Sequence, residues 1–161
     1  MVSPRVRALI DRLEKGAQKT NEVSGKLTPD QWEQIVFADP EPWTWRDLLA
    51  HFVSAEEHLL ELAQNVAAGG AGSSEGFDFD AFNAAERTRL IDYPPARLLA
   101  LLELARQETL DWVATLDDAR LDFVGRHPAL GSVSVETMVT AIYGHQLLHM
   151  REVQSKNKRE T

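Results

Sequence analysis

The chain has 161 residues, of which 43% are hydrophobic and 26% are charged, values typical of one globular domain with a sizeable core rather than of a disordered chain. Its formal net charge of −8 and its scattered basic residues argue against a surface that follows nucleic-acid phosphates. The absence of cysteine excludes disulfides, cysteine-based zinc sites and a protein thiol nucleophile.

The sequence shows no membrane or export segment. Its apolar runs are too short to span a bilayer, and the first residues are followed by charged ones rather than by the apolar core of a signal peptide. We therefore expect a cytoplasmic protein with neither a membrane nor a nucleic-acid partner.

Two helices are predicted at the start of the chain. Ser3 is an N-cap, Pro4 takes the first helical position, and apolar residues recur at helical spacing to about Ser24. A capping box at Thr28 then predicts a short helix that reaches about Ile35. A segment with two prolines follows and interrupts the chain.

A long amphipathic helix is predicted from its N-cap Thr44 to the glycines at 69–70. Its apolar stripe runs from Trp45 to Val66 at helical spacing. His51 lies beside that stripe and can face the same interior. Taken alone, His51 fits a core or boundary histidine that is hydrogen-bonded to backbone.

The next helical region is predicted to be kinked or to consist of two consecutive helices. It follows a flexible loop at residues 71–76, and Asp78 or Asp80 can cap its first part, which reaches about Ile91. Two prolines at 94–95 must interrupt the helix there, because they remove amide donors and disfavour helical geometry. Apolar residues then resume at helical spacing.

The last part of the chain is predicted to be a long connection followed by one more helix. Residues 117–134 contain glycines and a proline, with a single helical turn near Asp118, and Ser134 caps the final helix. No alternation typical of strands is visible. We therefore predict an all-α four-helix bundle over residues 1–155 with no sheet, a long connection before the last helix, and a polar tail at 156–161.

Two histidines of the last helix, His145 and His149, are the main functional signal. Residues four apart on a helix differ in direction by about 40° and lie about 6 Å apart along its axis, so both rings can reach one point. They share the core-facing stripe with Met138, Ile142 and Val153. Two histidines alone are weak evidence for a metal, because a zinc site needs at least three protein ligands.

His51 completes a three-histidine set that a bundle can bring together from two helices. At this point the chain resembles the DinB-like (DinB/YfiT-type) four-helix-bundle metalloproteins. The resemblance spans about residues 6–153, and it rests on Trp45-x-Asp47-Leu48-Leu49-x-His51, Phe82-Asn83 and His145-x-x-x-His149.

The resemblance implies a metal site and a range of activities. It implies that His51, His145 and His149 bind a divalent ion, most often zinc or nickel, with water in the other positions. Related activities are thiol S-transfer with bacillithiol, mycothiol or glutathione, and thiol-dependent isomerisation. Three neutral imidazoles leave the ion its full charge and an open position, as in catalytic sites. Because the chain lacks cysteine, a low-molecular-weight thiol cofactor must supply any thiol.

Several functions remain open. The first is a metal-dependent thiol S-transferase or hydrolase that acts on a small electrophilic substrate, with no catalytic side chain identifiable beyond the ligands. The second is a non-catalytic bundle that binds or sequesters small molecules and keeps a vestigial metal site. A protein-interaction module is a third, favoured only by a large exposed apolar patch. The resemblance and four tryptophans also predict a homodimer.

Other polar residues support weaker interpretations. His58 is expected in the pocket or on the surface, too far along the helix from His51 to share its ion. His127 is expected to be exposed in a loop that could cover the pocket. Asn83 and Glu86 fit either outer partners of the site or solvated positions, and the acidic pair at 56–57 is expected to be exposed.

Overall fold

The computed structural model describes residues 1–159, so Glu160 and Thr161 of the predicted tail lie outside the described residues. The described chain is mostly helical, with two short hairpins. Its elements are α1 (Pro4–Ser24), α2 (Pro29–Trp32), β1 (Ile35–Phe37), β2 (Trp43–Thr44), α3 (Trp45–Ala67), α4 (Phe79–Arg89), α5 (Pro95–Val113), α6 (Asp118–Leu121), β3 (Val124–His127), β4 (Gly131–Ser134) and α7 (Val135–Arg159).

Four long helices, α1, α3, α5 and α7, form the bundle. Helix α1 packs against α5 and α7, and α3 packs against the same two helices, so α1 and α3 occupy diagonal positions. Apolar side chains fill the interior, in one cluster around Leu13 and Ile142 and another around Phe52 and Met150. The predicted four-helix bundle and the long connection before its last helix are confirmed.

Helices α1 and α3 begin at the N-caps that their sequences predict. The Ser3 side chain accepts a hydrogen bond from the amide of Val6 at the start of α1. At the start of α3, Thr44 and Asp47 cap each other's backbone amides, at 3.2 and 3.0 Å. This capping box lies one turn before His51, so it anchors the part of α3 that carries the first histidine of the set.

The prolines at 94–95 divide the predicted third helical region into two helices. Asp78 caps α4, and its side chain accepts from the amide of Ala81. Pro94 is then the N-cap of α5 and Pro95 its first residue. At the end of the chain, α7 continues to Arg159, so the described part of the predicted polar tail is helical. No described helix combines the length and the apolar composition needed to cross a membrane.

The prediction of no sheet was wrong, because the described residues contain two antiparallel hairpins, β1–β2 and β3–β4. In β3 the buried positions are Gly125 and His127, whereas Val124 is 61% exposed. Strand β1 likewise begins with the exposed Ile35, which the sequence placed at the end of a helix. Neither strand shows the usual alternation of apolar and polar residues, because contacts with the bundle decide which side chains are buried.

Gly72 attaches the β3–β4 hairpin to the loop after α3. Its neighbours Ala71 and Ser73 exchange backbone hydrogen bonds with Arg126, at 2.9 and 2.8 Å. A Cβ atom on Gly72 would lie 2.4 Å from the Arg126 carbonyl oxygen, and the φ of Gly72 is +85°. Gly131, in the turn of the hairpin, has a similar φ of +75° but nothing within 4 Å of its Cβ position.

These two glycines form a matched pair for a stability measurement. We expect Gly131→Ala to lower the free energy of unfolding by about 1–2 kcal/mol, because alanine is strained in the left-handed region. Gly72→Ala should cost at least about 1 kcal/mol more, because its methyl group also meets the Arg126 backbone. Urea unfolding measures both values. Equal costs would contradict the close approach of the two segments.

Candidate metal centre

The three predicted ligand residues converge on one point. The Nε2 atom of His145, on α7, lies 2.9 Å from Nε2 of His51 on α3 and 3.1 Å from Nε2 of His149. The candidate ligand atoms of the three rings all lie within 4.8 Å of one another. The predicted convergence is confirmed, while metal binding by these residues stays a prediction.

The spacing of the rings fits a small divalent ion. In a tetrahedral zinc site with bonds of about 2.0–2.1 Å, two ligand nitrogens lie about 3.3 Å apart. The two short separations at His145 therefore need to open by only a few tenths of an ångström to admit an ion. The described residues contain no other group of three or more His, Asp or Glu side chains with such convergence.

Burial keeps two of the rings neutral. Burial first, and neighbouring histidines second, lower the pKa of His51 to about 4 and the pKa of His145 to about 3. At neutral pH both rings are therefore uncharged, and each keeps a nitrogen lone pair for a cation. The Nδ1 atom of His145 is buried without a hydrogen-bond partner among the described residues.

A carboxylate orients His149. Glu152, one turn further along α7, lies 3.0 Å from the Nδ1 atom of this ring. When Nδ1 donates its hydrogen to the carboxylate, Nε2 presents its lone pair to the point of convergence. Carboxylates commonly hold metal-binding histidines in this way and make them better ligands.

Aromatic rings restrict the positions of the histidine rings. Trp43, at the start of β2, meets His51 edge-on with 5.2 Å between ring centroids, and Phe37 of β1 meets His149 at 5.9 Å. Phe52 of α3 stacks against His149 at 6.3 Å. The short β1–β2 hairpin thus packs two of its aromatic side chains against the candidate centre.

The histidine set opens into a cavity of about 970 Å³. Its walls come from α3, α4, α7, the β1–β2 hairpin and the β3–β4 turn, and they include phenylalanine and leucine side chains. The charged residues among its lining are four acids and one base: Asp39, Glu41, Asp80, Glu152 and Arg87. The acidic excess favours a cation near the neutral histidines.

Arg87 of α4 is held at the edge of this cavity. Its guanidinium donates to the carbonyl of Pro42 at 2.9 Å and pairs with Asp47 at 3.2 Å and Glu41 at 3.3 Å. It also lies 5.8 Å from the ring centroid of Trp43. Arg87 thereby ties α4 to the capping box of α3, and two carboxylates already offset its charge.

The structure corrects the prediction for His127 and places His58 in the lining of the cavity. His127 is only 6% exposed and belongs to β3, so the expected exposed loop position was wrong. It does line the cavity, as does His58, and all five histidines of the chain therefore meet in one cavity. As predicted, His58 is not part of the converging set.

The acidic pair at 56–57 was predicted to be exposed, which is wrong for Glu56. This residue is 1% exposed, and its carboxylate accepts two hydrogen bonds from Arg106, at 2.5 and 3.0 Å. Gln146, adjacent to His145, also donates to it at 2.7 Å. The sequence offered one signal, because Glu56 lies at helical spacing, one turn after Phe52, on the buried face of α3.

The two α4 residues named as outer partners have different surroundings. Asn83 lines the cavity but lies outside the histidine set. Glu86 instead pairs with Arg89, at 2.6 Å, and is close enough to His58 to affect its pKa. Neither side chain forms a hydrogen bond with a ring of the converging set among the described contacts.

Comparison with known proteins shows which family the chain matches. The model of the DinB superfamily matches residues 12–153. No curated protein sequence matches the chain.

Solved structures share the fold at low sequence identity. YfiT from Bacillus subtilis, a probable metal-dependent hydrolase with an unusual four-helix bundle topology, is 17% identical with a TM-score of 0.77, over 99% of this chain and 90% of its own. The colibactin self-resistance protein ClbS, solved with dsDNA, is 16% identical with a TM-score of 0.68, over 96% and 95%. A mycothiol-dependent maleylpyruvate isomerase is 12% identical with a TM-score of 0.73, over 92% of this chain and 60% of its own.

Proposed function

Because the chain belongs to the DinB superfamily, we propose that it is a divalent-metal-dependent enzyme that transfers a thiol to, or hydrolyses, a small electrophilic molecule. The observation that carries the proposal is the convergence of three histidine nitrogens on the wall of a cavity of about 970 Å³. A purely structural zinc site is closed by four protein ligands, whereas three ligands beside a cavity leave a position for a reactant.

In this proposal His51, His145 and His149 hold the ion, zinc or nickel, and Glu152 orients His149. When bound, such an ion lowers the pKa of a water or thiol at its open position and so supplies a nucleophile at neutral pH. The absence of cysteine means that any thiol comes from a small cofactor such as bacillithiol, mycothiol or glutathione. In thiol transfer, sulfur bonds to the electrophilic carbon, the leaving group departs with the bonding electrons, and the thiol proton passes to solvent.

The charge and burial of the cavity support a small-molecule substrate. His51 and His145 are half-buried in the cavity wall, beside apolar side chains that exclude part of the water that competes with a reactant. The excess of acidic residues at the cavity disfavours nucleic-acid phosphates, as does the net charge of −8. The dependence of one fold relative on mycothiol supports the thiol reaction, and the description of YfiT supports the hydrolytic one.

The proposal is tested on protein purified without a histidine tag. Zinc and nickel content is measured, and turnover is assayed with each of the three thiols against alkylating electrophiles, and with water against activated esters. We expect turnover that is lost on chelation and restored by zinc or nickel. Turnover that persists after complete metal removal would contradict the proposal. A metal-loaded protein that turns over no compound would instead favour the sequestering bundle.

Substitution of Glu152 perturbs the same site while leaving its three candidate ligands in place. We expect Glu152→Gln to weaken metal binding by about 10–100-fold, the usual cost of removing an outer carboxylate partner, while all three ligands remain. Glu103→Gln removes the same charge from an exposed position on α5 and should leave the affinity unchanged. Competition with a chromogenic chelator measures both affinities. Equal affinities of the two variants would show that Glu152 does not orient His149.

We also propose that the chain forms a homodimer. Two of the four tryptophans, Trp32 and Trp45, are buried, so they offer little surface for pairing. Exposed apolar side chains are found elsewhere, including Leu104 on α5, which is 56% exposed. We expect light scattering to give twice the chain mass of 18.0 kDa at micromolar concentration. A monomeric mass at that concentration and above would contradict this proposal.

A further inference from the structure

We propose that His127 and His58 form a second subsite in the cavity, which binds an uncharged apolar molecule through a carbonyl oxygen. His127 donates the hydrogen bond to that oxygen, and His58 belongs to the aromatic wall against which the apolar body packs. The inference rests on the proposed function, because it names the substrate class of the same cavity. It does not require the ion, so the two proposals can fail separately.

Hydrogen bonding determines which nitrogen of His127 is the donor. Its Nδ1 atom accepts from the amides of Ala129 and Leu130, at 3.1 and 3.2 Å. A neutral imidazole carries one N–H, so a ring whose Nδ1 accepts must carry its hydrogen on Nε2. That Nε2 atom is buried and has no hydrogen-bond partner within residues 1–159. Buried donors are normally paired, so this N–H lacks the acceptor that a buried donor requires, in a residue that lines the cavity.

The backbone around His127 holds the donor in place. Strand β3 pairs with β4 along its length, and the bridge to Gly72 fixes its other edge. At Gly125 a Cβ atom would lie 2.4 Å from a side-chain atom of Val66, so the strand lies directly against α3. With both edges and one face occupied, the ring has little freedom to find another acceptor.

His58 lies in an aromatic cluster. Its ring stacks on Phe77, with 5.0 Å between centroids and 13° between planes, and meets Phe82 at 4.7 Å. All three line the cavity. Two turns of α3, about 10 Å along the axis, separate His58 from His51. The apolar wall is therefore distinct from the candidate metal centre.

His127 lies within electrostatic reach of both regions. Burial, followed by the effect of His58, lowers the pKa of His127, and His127 in turn contributes to the low pKa of His145. The aromatic wall, His127 and the candidate metal centre all line one cavity, so a molecule held through His127 shares its space with the other two.

Charge favours an uncharged ligand over an anion. Burial also lowers the pKa of His58, so His58 and His127 are both neutral at pH 7. The base among the charged lining residues, Arg87, already pairs with Asp47 and Glu41. A carboxylate ligand would enter a cavity whose lining carries four acidic side chains and one arginine that is already paired. A carbonyl oxygen accepts the same hydrogen bond without that repulsion.

The test compares three probes of similar shape: 2-acetylnaphthalene, 2-ethylnaphthalene and 2-naphthoate. Calorimetric titration is done on the zinc-loaded and the chelated protein. We expect 2-acetylnaphthalene to bind about 10-fold more tightly than 2-ethylnaphthalene in both forms, and than 2-naphthoate in the chelated form, the effect of one well-placed hydrogen bond. His127→Phe should abolish this preference. Glu103→Gln, at an exposed position on α5 outside the cavity lining, should retain it.

A second measurement needs no substitution. In wild-type protein, the ¹⁵N signal of the His127 Nε2–H should shift on addition of 2-acetylnaphthalene and not of 2-ethylnaphthalene. An unchanged signal with the bound ketone would overturn the proposal, as would equal binding of all three probes, or tighter binding of 2-naphthoate, in the chelated protein. A preference that vanishes on chelation but survives in His127→Phe would assign the carbonyl to the ion instead. A protein that holds no metal yet keeps the preference would contradict only the proposed function.

Discussion

Replacing His145 by Ala is expected to abolish metal binding and any metal-dependent turnover while the helical fold remains. His145 is the central residue of the set, because its Nε2 atom lies 2.9 Å from that of His51 and 3.1 Å from that of His149. Its loss leaves two ligands, too few to hold a divalent ion tightly. The affinity should fall by more than about 100-fold, because even an outer partner is worth 10–100-fold.

Metal content, chelator competition and circular dichroism measure these effects together. His58→Ala is the matched control, because it removes an imidazole from the same cavity without touching the converging set. We expect this control to keep the metal. If both variants lost metal equally, the site would not depend on these ligands. Turnover that survived in the metal-free His145→Ala protein would exclude the metal as the source of the nucleophile.

A large loss of stability is expected when the buried ion pair between Glu56 and Arg106 is broken. Their side chains are 0% and 5% exposed. Arg106 also donates to the backbone carbonyl of Leu13 in α1, at 2.6 Å, and Glu56 accepts from Thr109 of α5 and Gln146 of α7. One carboxylate and one guanidinium thus connect all four long helices.

Arg106→Met should lower the free energy of unfolding by about 3–5 kcal/mol, because it leaves the Glu56 carboxylate buried without its cation. Such a loss is a large fraction of the 5–15 kcal/mol typical of a domain. The double variant Glu56→Gln with Arg106→Met should recover much of it, since no unpaired charge remains. Urea unfolding of Glu56→Gln, Arg106→Met and the double variant gives the coupling free energy between the two side chains.

Arg89→Met is the control for loss of an arginine, because Arg89 pairs with Glu86 and Glu57 at the surface. It should cost about 1 kcal/mol or less. A similar small cost at Arg106 would contradict a buried, tightly coupled pair. Because Gln146 adjoins His145 and lies on the same network, Arg106→Met should also weaken metal binding in the protein that remains folded.

The converging histidines were predictable because their signal is mostly local. A spacing of four residues places His145 and His149 together on any helix, and the apolar stripe around them shows which face turns inward. His51 was harder to assign, since His145 lies 94 residues away from it along the chain. Only the assumption that two inward faces of a bundle meet, together with the family resemblance, linked it to the pair.

The helices, their caps and the inward direction of the histidines were predictable from sequence, because each depends on residues within one or two turns. The burial of Glu56 and His127 depends instead on how the helices and the hairpin pack together. Glu56 can be buried because Arg106, 50 residues away, supplies its countercharge. His127 is buried because the hairpin lies against α3 and its own turn satisfies Nδ1. Burial of a polar group depends on partners that are distant in sequence, and no local pattern records them.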